Sequence, residues 1–181
     1  MEKEYCYDCM KSQRQYDAGR ALYEYGCIRK SIYRFKYMGR QEYAEFFGKQ
    51  IVEKMAEQIQ KWHPDALIPI PLYSMKQRHR GYNQAELLAR VIGKRMNIPV
   101  YTQLVKRVRD TKPLKELSPS ERQNNLKKAF KICKDDVKLR VVILIDDIYT
   151  TGSTMNEIAV ELKEVGVIKI YFITLAIGNG L

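Results

Sequence analysis

The amino-acid sequence predicts an α/β domain with a doubly wound parallel sheet, and two observations lead to this prediction. Residues 141–145 are five consecutive β-branched or leucine residues, the pattern of a strand that is buried on both faces. Such strands are typical of parallel sheets that lie between helices. Strand patterns also alternate with helix patterns along the chain, as βαβ units require. The 181 residues suffice for one such domain with a hydrophobic core.

Hydrophobic periodicity and breaker residues predict the elements in order. The predicted strands are 21–25, 66–71, 100–104, 141–145 and 168–175. The predicted helices are 27–36, 42–62, 83–96, one that begins near Ser118, and 152–165. A capping box with proline at the first helical position marks the start near Ser118. The charged segment 106–115 lacks apolar periodicity and contains a proline, which predicts a mobile loop, with a solvated linker as the alternative.

A basic segment follows the predicted strand at 66–71. It carries Lys76, Arg78 and Arg80 ahead of a glycine, and a helix is predicted to start near Asn83. Ligands of doubly wound sheets bind outside the carboxyl ends of the strands. A basic loop at that edge is suited to pyrophosphate, so this segment is a candidate anion site.

The segment after the predicted strand at 141–145 has the composition of a phosphosugar site. Asp146 and Asp147 come first, and ionised carboxylates accept hydrogen bonds from the vicinal hydroxyls of a ribose. The next residues are Thr150, Thr151, Gly152, Ser153 and Thr154. They offer hydroxyls, backbone N–H groups and the positive end of a helix dipole to one phosphate. An ordinary buried strand, turn and capped helix explains the apolar run and the glycine, but not paired acids beside four hydroxyls.

The net charge of +11 predicts attraction to polyanions. Phosphorylated small molecules, pyrophosphate and nucleic acid all qualify, and charge alone does not distinguish among them. The region 29–40 interleaves cations with aromatic residues, as a solvated helix face or a surface for phosphate or nucleic acid does. No apolar run approaches the roughly 20 residues of a membrane helix. The N-terminus does not resemble a signal peptide, so we expect a cytoplasmic protein without membrane insertion.

The cysteine pattern leaves three alternatives open. Cys6 and Cys9 have the C-x-x-C spacing of a zinc knuckle, and half of a zinc ribbon, a redox pair and two ordinary cysteines all fit it. A structural zinc site needs four ligands, whereas Cys27 and Cys133 stand alone in the sequence. We therefore expect no bound zinc in this chain and assign no metal ligands.

Two sets of motifs resemble known proteins. Residues 143–155 resemble the signature with which type I phosphoribosyltransferases bind 5-phosphoribosyl 1-pyrophosphate (PRPP): an apolar run, two acids, two spacers and Thr-Thr-Gly-Ser-Thr. Other segments resemble the ComF-type competence family, and with them the likeness covers nearly the whole chain: 33–39, 70–71, 80–85 and 121–130. Family members typically open with a double C-x-x-C zinc ribbon. The resemblance thus implies a ribbon remnant at 1–20, as a small N-terminal appendage, and a phosphoribosyltransferase-like domain at 21–181.

The resemblance also implies a ligand and roles for the residues. The ligand is PRPP, which brings Mg²⁺ with it. Asp146 and Asp147 would hold the ribose hydroxyls and are the candidate catalytic residues, residues 150–154 would bind the 5′-phosphate, and Arg78 and Arg80 would bind pyrophosphate. Type I enzymes close a flexible loop over PRPP at the place of segment 106–115, which makes its cations candidates as well: Arg107, Arg109, Lys112 and Lys115.

The acceptor of the phosphoribosyl group stays open. Purine-salvage enzymes usually carry an acid where Thr150 stands, which argues against hypoxanthine or guanine. The chain has no room for a glutaminase domain. The ComF resemblance implies a role in DNA uptake with a helicase-like partner. The alternative function is therefore a non-catalytic accessory protein that handles single-stranded DNA and uses the site to sense nucleotides. A zinc-stapled interaction module is a third hypothesis.

Overall fold

The computed structural model describes residues 14–109, 129–133 and 138–178. Its strands are β1 (Ala18–Glu24), β2 (Ala66–Pro69), β3 (Val105–Arg107), β4 (Phe130–Ile132), β5 (Val141–Tyr149) and β6 (Lys169–Ile177). Its helices are α1 (Tyr25–Tyr37), α2 (Tyr43–Trp62), α3 (Ser74–Arg80), α4 (Gln84–Met96) and α5 (Ser153–Glu164).

The main sheet is parallel throughout, as the sequence predicts. Its strands lie in the order β1-β6-β5-β2, so β5 occupies an interior position. Ile143 of β5 is in register with Leu67 of β2 on one side and with Tyr171 of β6 on the other. β3 and β4 form a separate antiparallel pair. The α/β class and the parallel sheet are therefore confirmed.

Both faces of β5 are covered, which explains its continuous apolar run. Ile143 and Ile145 belong to a core cluster that includes residues of α1, α2 and α4. Val142 and Leu144 belong to a second cluster on the other face, built with α5 and the β3–β4 pair. Successive side chains of a strand point to opposite faces, so a strand between two apolar layers is apolar at every position.

Local chemistry sets the ends of the helices. α2 packs a stripe that includes Phe47, Ile51 and Ile59 into the core and ends where His63, ahead of Pro64, adopts the left-handed conformation (φ 47°). α4 begins where the Asn83 side chain accepts a hydrogen bond from the amide of Ala85, as expected for an N-cap residue. It ends where Asn97 is left-handed (φ 57°). These boundaries agree closely with the predicted ones.

Three local predictions differ from the structure. The strand predicted at 100–104 is wrong: Val100 forms a single bridge with Leu67, and the next strand begins only at Val105, paired with β4. The basic segment after β2 is the helix α3 and not an open loop. β5 continues past Ile145 to Tyr149, so both acids lie within the strand, and Asp146 pairs with Thr174 of β6.

Several predictions lie outside the described residues. These are the C-x-x-C pair of Cys6 and Cys9, the helix near Ser118, and the cations Lys112 and Lys115. The boundary after residue 20 stays a prediction; β1 begins at Ala18 and pairs with β6. Among the helices of the described part, none combines the length and the hydropathy that crossing a membrane requires.

Candidate functional site

The candidate site lies where β5 ends, and its two acids point to opposite sides of the sheet. Asp147 shares the face of Ile143 and Ile145 and meets α1, where its carboxylate lies 2.8 Å from the ammonium of Lys36. Asp146 shares the other face, where the positive charge of Arg107 in β3 acts on it. The alternation of the strand thus brings only Asp147 into contact with Lys36, although the charge of Lys36 acts on Asp146 as well.

Lys36 and Asp147 form a mostly buried ion pair. Their side chains are 18% and 13% exposed. Burial by itself lowers the pKa of the Lys36 ammonium, but the charge and hydrogen bond of Asp147, with the charge of Asp146, raise it above its ordinary value. Lys36 is therefore positively charged at neutral pH and neutralises one of the two acids.

Asp146 is the acid that titrates near neutrality. Burial, followed by repulsion from Asp147, raises its pKa from 3.8 to about 7. Three groups counteract this rise without cancelling it: the charge of Lys36, the backbone amide of Asp147 and the charge of Arg107. The Asp147 amide donates a hydrogen bond to Oδ1 of Asp146 at 2.8 Å. Two adjacent buried carboxyl groups with one close ammonium form a site that favours a second cation or a set of hydroxyl donors.

Lys36 is held in place through the carbonyl group of the residue before it. The last carbonyls of a helix lack intrahelical partners, and Phe35 is among them. Its carbonyl accepts hydrogen bonds from the Tyr82 hydroxyl and from the Gln84 amide, the latter at 3.0 Å. We call Tyr82 and Gln84 the carbonyl clamp. The clamp ties the start of α4 to the end of α1 and so positions Lys36 against the acids.

Arg80 is the second cation on this side of the site. It donates to the Gln84 side chain at 2.6 Å, and its guanidinium lies 5.2 Å from the centre of the Tyr37 ring. Its charge acts on Lys36 and lowers the pKa of that ammonium slightly against the larger effects of the acids. Gly81, which ends α3 with φ 82°, lets the chain turn from Arg80 into the clamp.

The turn between β5 and α5 forms a small pocket with Asp146. Residues 148–155 line it together with that acid. Gly152 adopts φ 75° and opens α5, and the hydroxyls of Thr151 and Ser153 lie 2.8 Å apart. The pocket combines hydroxyl donors with the N-terminus of a 12-residue helix, which is the geometry of an anion site.

The side chains of Tyr16 and Tyr149, which we call the tyrosine floor, lie against this turn. The hydroxyls of Tyr16 and Tyr149 lie 2.8 Å apart, and Arg14 donates to both. A Cβ atom on Gly152 would lie 2.6 Å from each of these hydroxyls. Gly152 is therefore required both for its backbone conformation and for its close approach to the floor.

The structure brings together most of the site residues that the sequence suggests. Asp146 shares the turn pocket with Thr150, Thr151, Gly152, Ser153 and Thr154. Arg80 faces the Lys36 side, whereas Arg78, two residues earlier on the same helix, is exposed and points elsewhere, as residues two apart on a helix do. Of the predicted loop cations, Arg107 lies in β3 and acts on Asp146, and Arg109 is exposed.

Sequence reasoning did not assign Lys36 to the site. The residue occurs in a basic segment that resembles an ordinary solvated helix face. The available signal was its place within 33–39, one of the segments that resemble the ComF-type family. That likeness indicated a constraint on Lys36 without revealing its partner.

Comparison with known proteins identifies a family and several relatives. A family model described as Phosphoribosyl transferase domain matches residues 47–180. The chain is similar to Competence protein F of Haemophilus influenzae, with 45% identity over 58% of this chain and 46% of the relative. It is also similar to Competence protein ComFC of Bacillus subtilis, with 31% identity over 81% of this chain and 58% of the relative. DNA utilization protein YhgH of Escherichia coli K12 is 35% identical over 53% of this chain and 42% of the relative. The chain spans about half the length of these curated relatives.

Proposed function

Because the chain belongs to the phosphoribosyl transferase domain family, in its ComF-type competence group, we propose that it binds PRPP at the end of β5. The observation that carries this proposal is the joint placement of a small hydroxyl-lined turn pocket and two acids, with Asp146 contributing to both. A phosphorylated ribose needs these two kinds of site side by side.

The turn is the proposed site of the 5′-phosphate. Hydroxyls of Thr150, Thr151, Ser153 and Thr154 are donors to phosphate oxygens, and the N-terminus of α5 adds backbone N–H groups. Thr151 and Ser153 now bond to each other, so a phosphate would replace one internal hydrogen bond by two to the ligand.

The acids are the proposed site of the ribose hydroxyls. Asp147, paired with Lys36, accepts from one hydroxyl. Asp146 accepts hydrogen bonds through both carboxylate oxygens only when it has lost its proton. Its raised pKa therefore makes ligand binding dependent on pH near neutrality. Both acids would thereby orient the anomeric carbon of the ribose.

The acids also fit a magnesium ion brought by the pyrophosphate. Their oxygens are the hard donors that Mg²⁺ prefers, and the raised pKa of Asp146 reflects an excess of negative charge that a cation relieves. Asp146 and Asp147 would hold the ion through the ligand, where it would neutralise charge on the departing pyrophosphate. Besides the magnesium ion, the protein cations Lys36 and Arg80 would neutralise charge on the pyrophosphate.

Phosphoribosyl transfer is the catalytic form of this proposal. A nitrogen nucleophile of the acceptor would attack the anomeric carbon, and the bond to pyrophosphate would break with its electron pair. Lys36 and Arg80 would stabilise the charge that develops on the leaving group. The acceptor stays open, and Thr150, which offers no carboxylate, argues against hypoxanthine or guanine.

A non-catalytic role in handling single-stranded DNA is the second candidate. The observation that favours it is the net charge of +11 together with exposed Tyr33 and Tyr37 on a cationic helix. In this form the phosphoribosyl site would sense a nucleotide, in the cytoplasm and next to a helicase-like partner.

Calorimetric titration with PRPP and Mg²⁺ tests the first proposal. We expect saturable binding by the wild-type protein and at least about a hundredfold weaker binding by an Asp146→Asn, Asp147→Asn double variant, because two charge-assisted interactions are lost. The matched control is Glu53→Gln, Glu57→Gln, which removes two exposed carboxylates of α2. Equal PRPP affinity in the wild-type protein and the aspartate variant, both folded, would refute the proposed site.

A further inference from the structure

A large groove adjoins the acids on the side of α1. Its volume is about 590 Å³, within the range of roughly 300–1,000 Å³ that is usual for ligand pockets. Its lining comes mostly from α1, and Ile148 of β5 also contributes to it. The α1 residues that shape it are Arg29, Lys30, Tyr33, Arg34, Lys36 and Tyr37. We call this space the α1 groove.

The α1 groove is cationic. Arg29, Lys30 and Arg34 are exposed along it, and Lys36 lies at its inner end. No carboxylate lines the groove, and none of the three exposed cations forms an ion pair within the part of the chain that the structure describes. Their charges therefore add, and the groove attracts an anionic ligand.

The α1 groove also has an aromatic platform. Tyr33 and Tyr37 are 58% and 64% exposed although apolar rings are usually covered, and their centroids lie 5.1 Å apart. They are one helical turn apart, so both rings stand on the same face. The Arg80 guanidinium lies over one face of the Tyr37 ring, 5.2 Å from its centre, and adds a positive charge beside it. A solvated helix face accounts for the cations but not for two neighbouring exposed rings.

The groove and the acids share a boundary. Lys36 lines the groove and bonds to Asp147, and Ile148 follows Asp147 directly in β5. A ligand in the groove would therefore lie next to any ribose held by the acids. The turn pocket is lined by Asp146 and residues 148–155 and shares only Ile148 with the groove, so the two spaces adjoin but take different ligand groups.

We propose that the α1 groove binds a nucleotide, either free or as a unit of a single strand, beside the phosphoribosyl site. The two rings are tilted by 48°, so its base stacks on Tyr33 or on Tyr37, either of which contacts any base through its flat face, and its phosphate lies against Arg29, Lys30 or Arg34. The combination of flat rings with unpaired cations is what nucleotides require of a binding surface. The proposal that the groove binds a nucleotide depends only on these tyrosines and cations, whereas the position of this ligand beside PRPP rests on the proposed function.

Titrations with three thymidine probes test this proposal. Thymidine 3′-monophosphate carries base and phosphate but no 5′-phosphate for the turn pocket, thymidine lacks the charge, and a ten-residue oligothymidylate represents a strand. We expect the monophosphate or the oligonucleotide to bind at least about tenfold more tightly than thymidine, since charge contributes to affinity. If the oligonucleotide binds more tightly than the monophosphate and this binding is lost as salt rises, the ligand is a strand. If the oligonucleotide and the monophosphate bind equally, the ligand is a free nucleotide.

Variants locate the binding on the protein. The double variant Tyr33→Leu, Tyr37→Leu is expected to bind the probe about tenfold or more weakly than the wild-type protein, because each stacked base contributes to affinity on that scale. Arg29→Gln, Arg34→Gln is expected to weaken it by a similar factor. The matched controls are Phe46→Leu, another ring that is 56% exposed, and Lys49→Gln, Lys61→Gln on α2.

The outcomes separate this proposal from the proposed function. Binding of neither anionic probe, equal binding of thymidine, or binding that the α1 variants leave unchanged would overturn the groove proposal. PRPP is titrated separately with the aspartate variant. Absence of PRPP binding by the wild-type protein, with nucleotide binding intact, refutes the phosphoribosyl site, and absence of nucleotide binding by a wild-type protein that binds PRPP refutes the groove.

Discussion

Two regions of the molecule build the candidate site in different ways. The first, the signature segment, is residues 141–154, which run without interruption through β5 and the turn into α5. The second, the cationic side, consists of Lys36 of α1, Arg80 of α3 and the carbonyl clamp, whose Tyr82 lies in the α3–α4 connection and whose Gln84 begins α4. The signature segment supplies negative charge and an anion pocket, and the cationic side supplies the balancing positive charge.

The difference teaches how each region keeps its shape. Strand pairing on both sides, a left-handed glycine and the tyrosine floor hold the signature segment. The cationic side depends on two hydrogen bonds to the Phe35 carbonyl and one ion pair. We therefore expect changes in the signature segment to have the larger effects on folding, and changes in the cationic side to act mainly on charge. Four measurements sharpen or break this comparison, in order of decreasing effect.

Gly152→Ala is expected to have the largest effect. Alanine is strained at φ 75°, and its Cβ would lie 2.6 Å from the Tyr16 and Tyr149 hydroxyls. We expect the free energy of unfolding to fall by about 3 kcal/mol, with loss of PRPP binding. Gly166→Ala is the control, since φ is 95° there and the added atom meets open space. Denaturant titration measures both, and equal losses would show that the tyrosine floor does not restrict residue 152.

Lys36→Met should destabilise the protein somewhat less. The methionine keeps the apolar stem but leaves Asp147 without its ammonium and mostly buried. Removing one partner of such a pair is expected to lower the unfolding free energy at neutral pH by about 2 kcal/mol, since the site remains partly hydrated. Adding Asp147→Asn should restore much of this loss, because no unpaired charge remains. If the double variant is no more stable than Lys36→Met, the ion pair is not what the lysine contributes.

Asp146 makes the stability of the protein depend on pH. Its pKa rises on folding from 3.8 to about 7, so the folded state binds this proton more tightly than the unfolded state. Stability from this group is then complete below about pH 4 and is lost as the pH rises toward 7. Asp146→Asn should remove this dependence and gain stability relative to the wild-type protein as the pH rises through that window. Melting temperatures across it provide the test, and parallel pH profiles of the two proteins would contradict the raised pKa.

Tyr82→Phe should have the smallest effect. The ring stays in the core, while the Phe35 carbonyl loses one of its two donors and keeps Gln84. We expect a loss of about 1 kcal/mol in unfolding free energy, together with a measurable shift of the Lys36 ammonium signal in NMR spectra. Tyr171→Phe is the control, because the described residues offer the Tyr171 hydroxyl no hydrogen bond. An unchanged Lys36 signal would mean that the clamp does not position this residue.

The amino-acid sequence by itself determined the signature segment. A strand buried on both faces must be apolar throughout, so the side chains of Val142 to Ile145 predict β5. The turn into α5 requires a left-handed residue, which Gly152 supplies because it has no Cβ atom. The amphipathic helices α2 and α4 were predictable for the same local reason. The predicted strand at 100–104 was wrong because strand formation depends on a partner, and Leu67 offers Val100 only a single bridge.

Only the tertiary structure decided which cation meets which acid. Lys36 and Arg78 look alike in sequence as basic residues of polar segments, but Lys36 reaches Asp147 and Arg78 is exposed. That outcome follows from the packing of α1 against the sheet and from the hydrogen bonds of Tyr82 and Gln84 to a carbonyl far away in the chain. The raised pKa of Asp146 has the same origin, because desolvation and charge interactions depend on distances that arise only on folding.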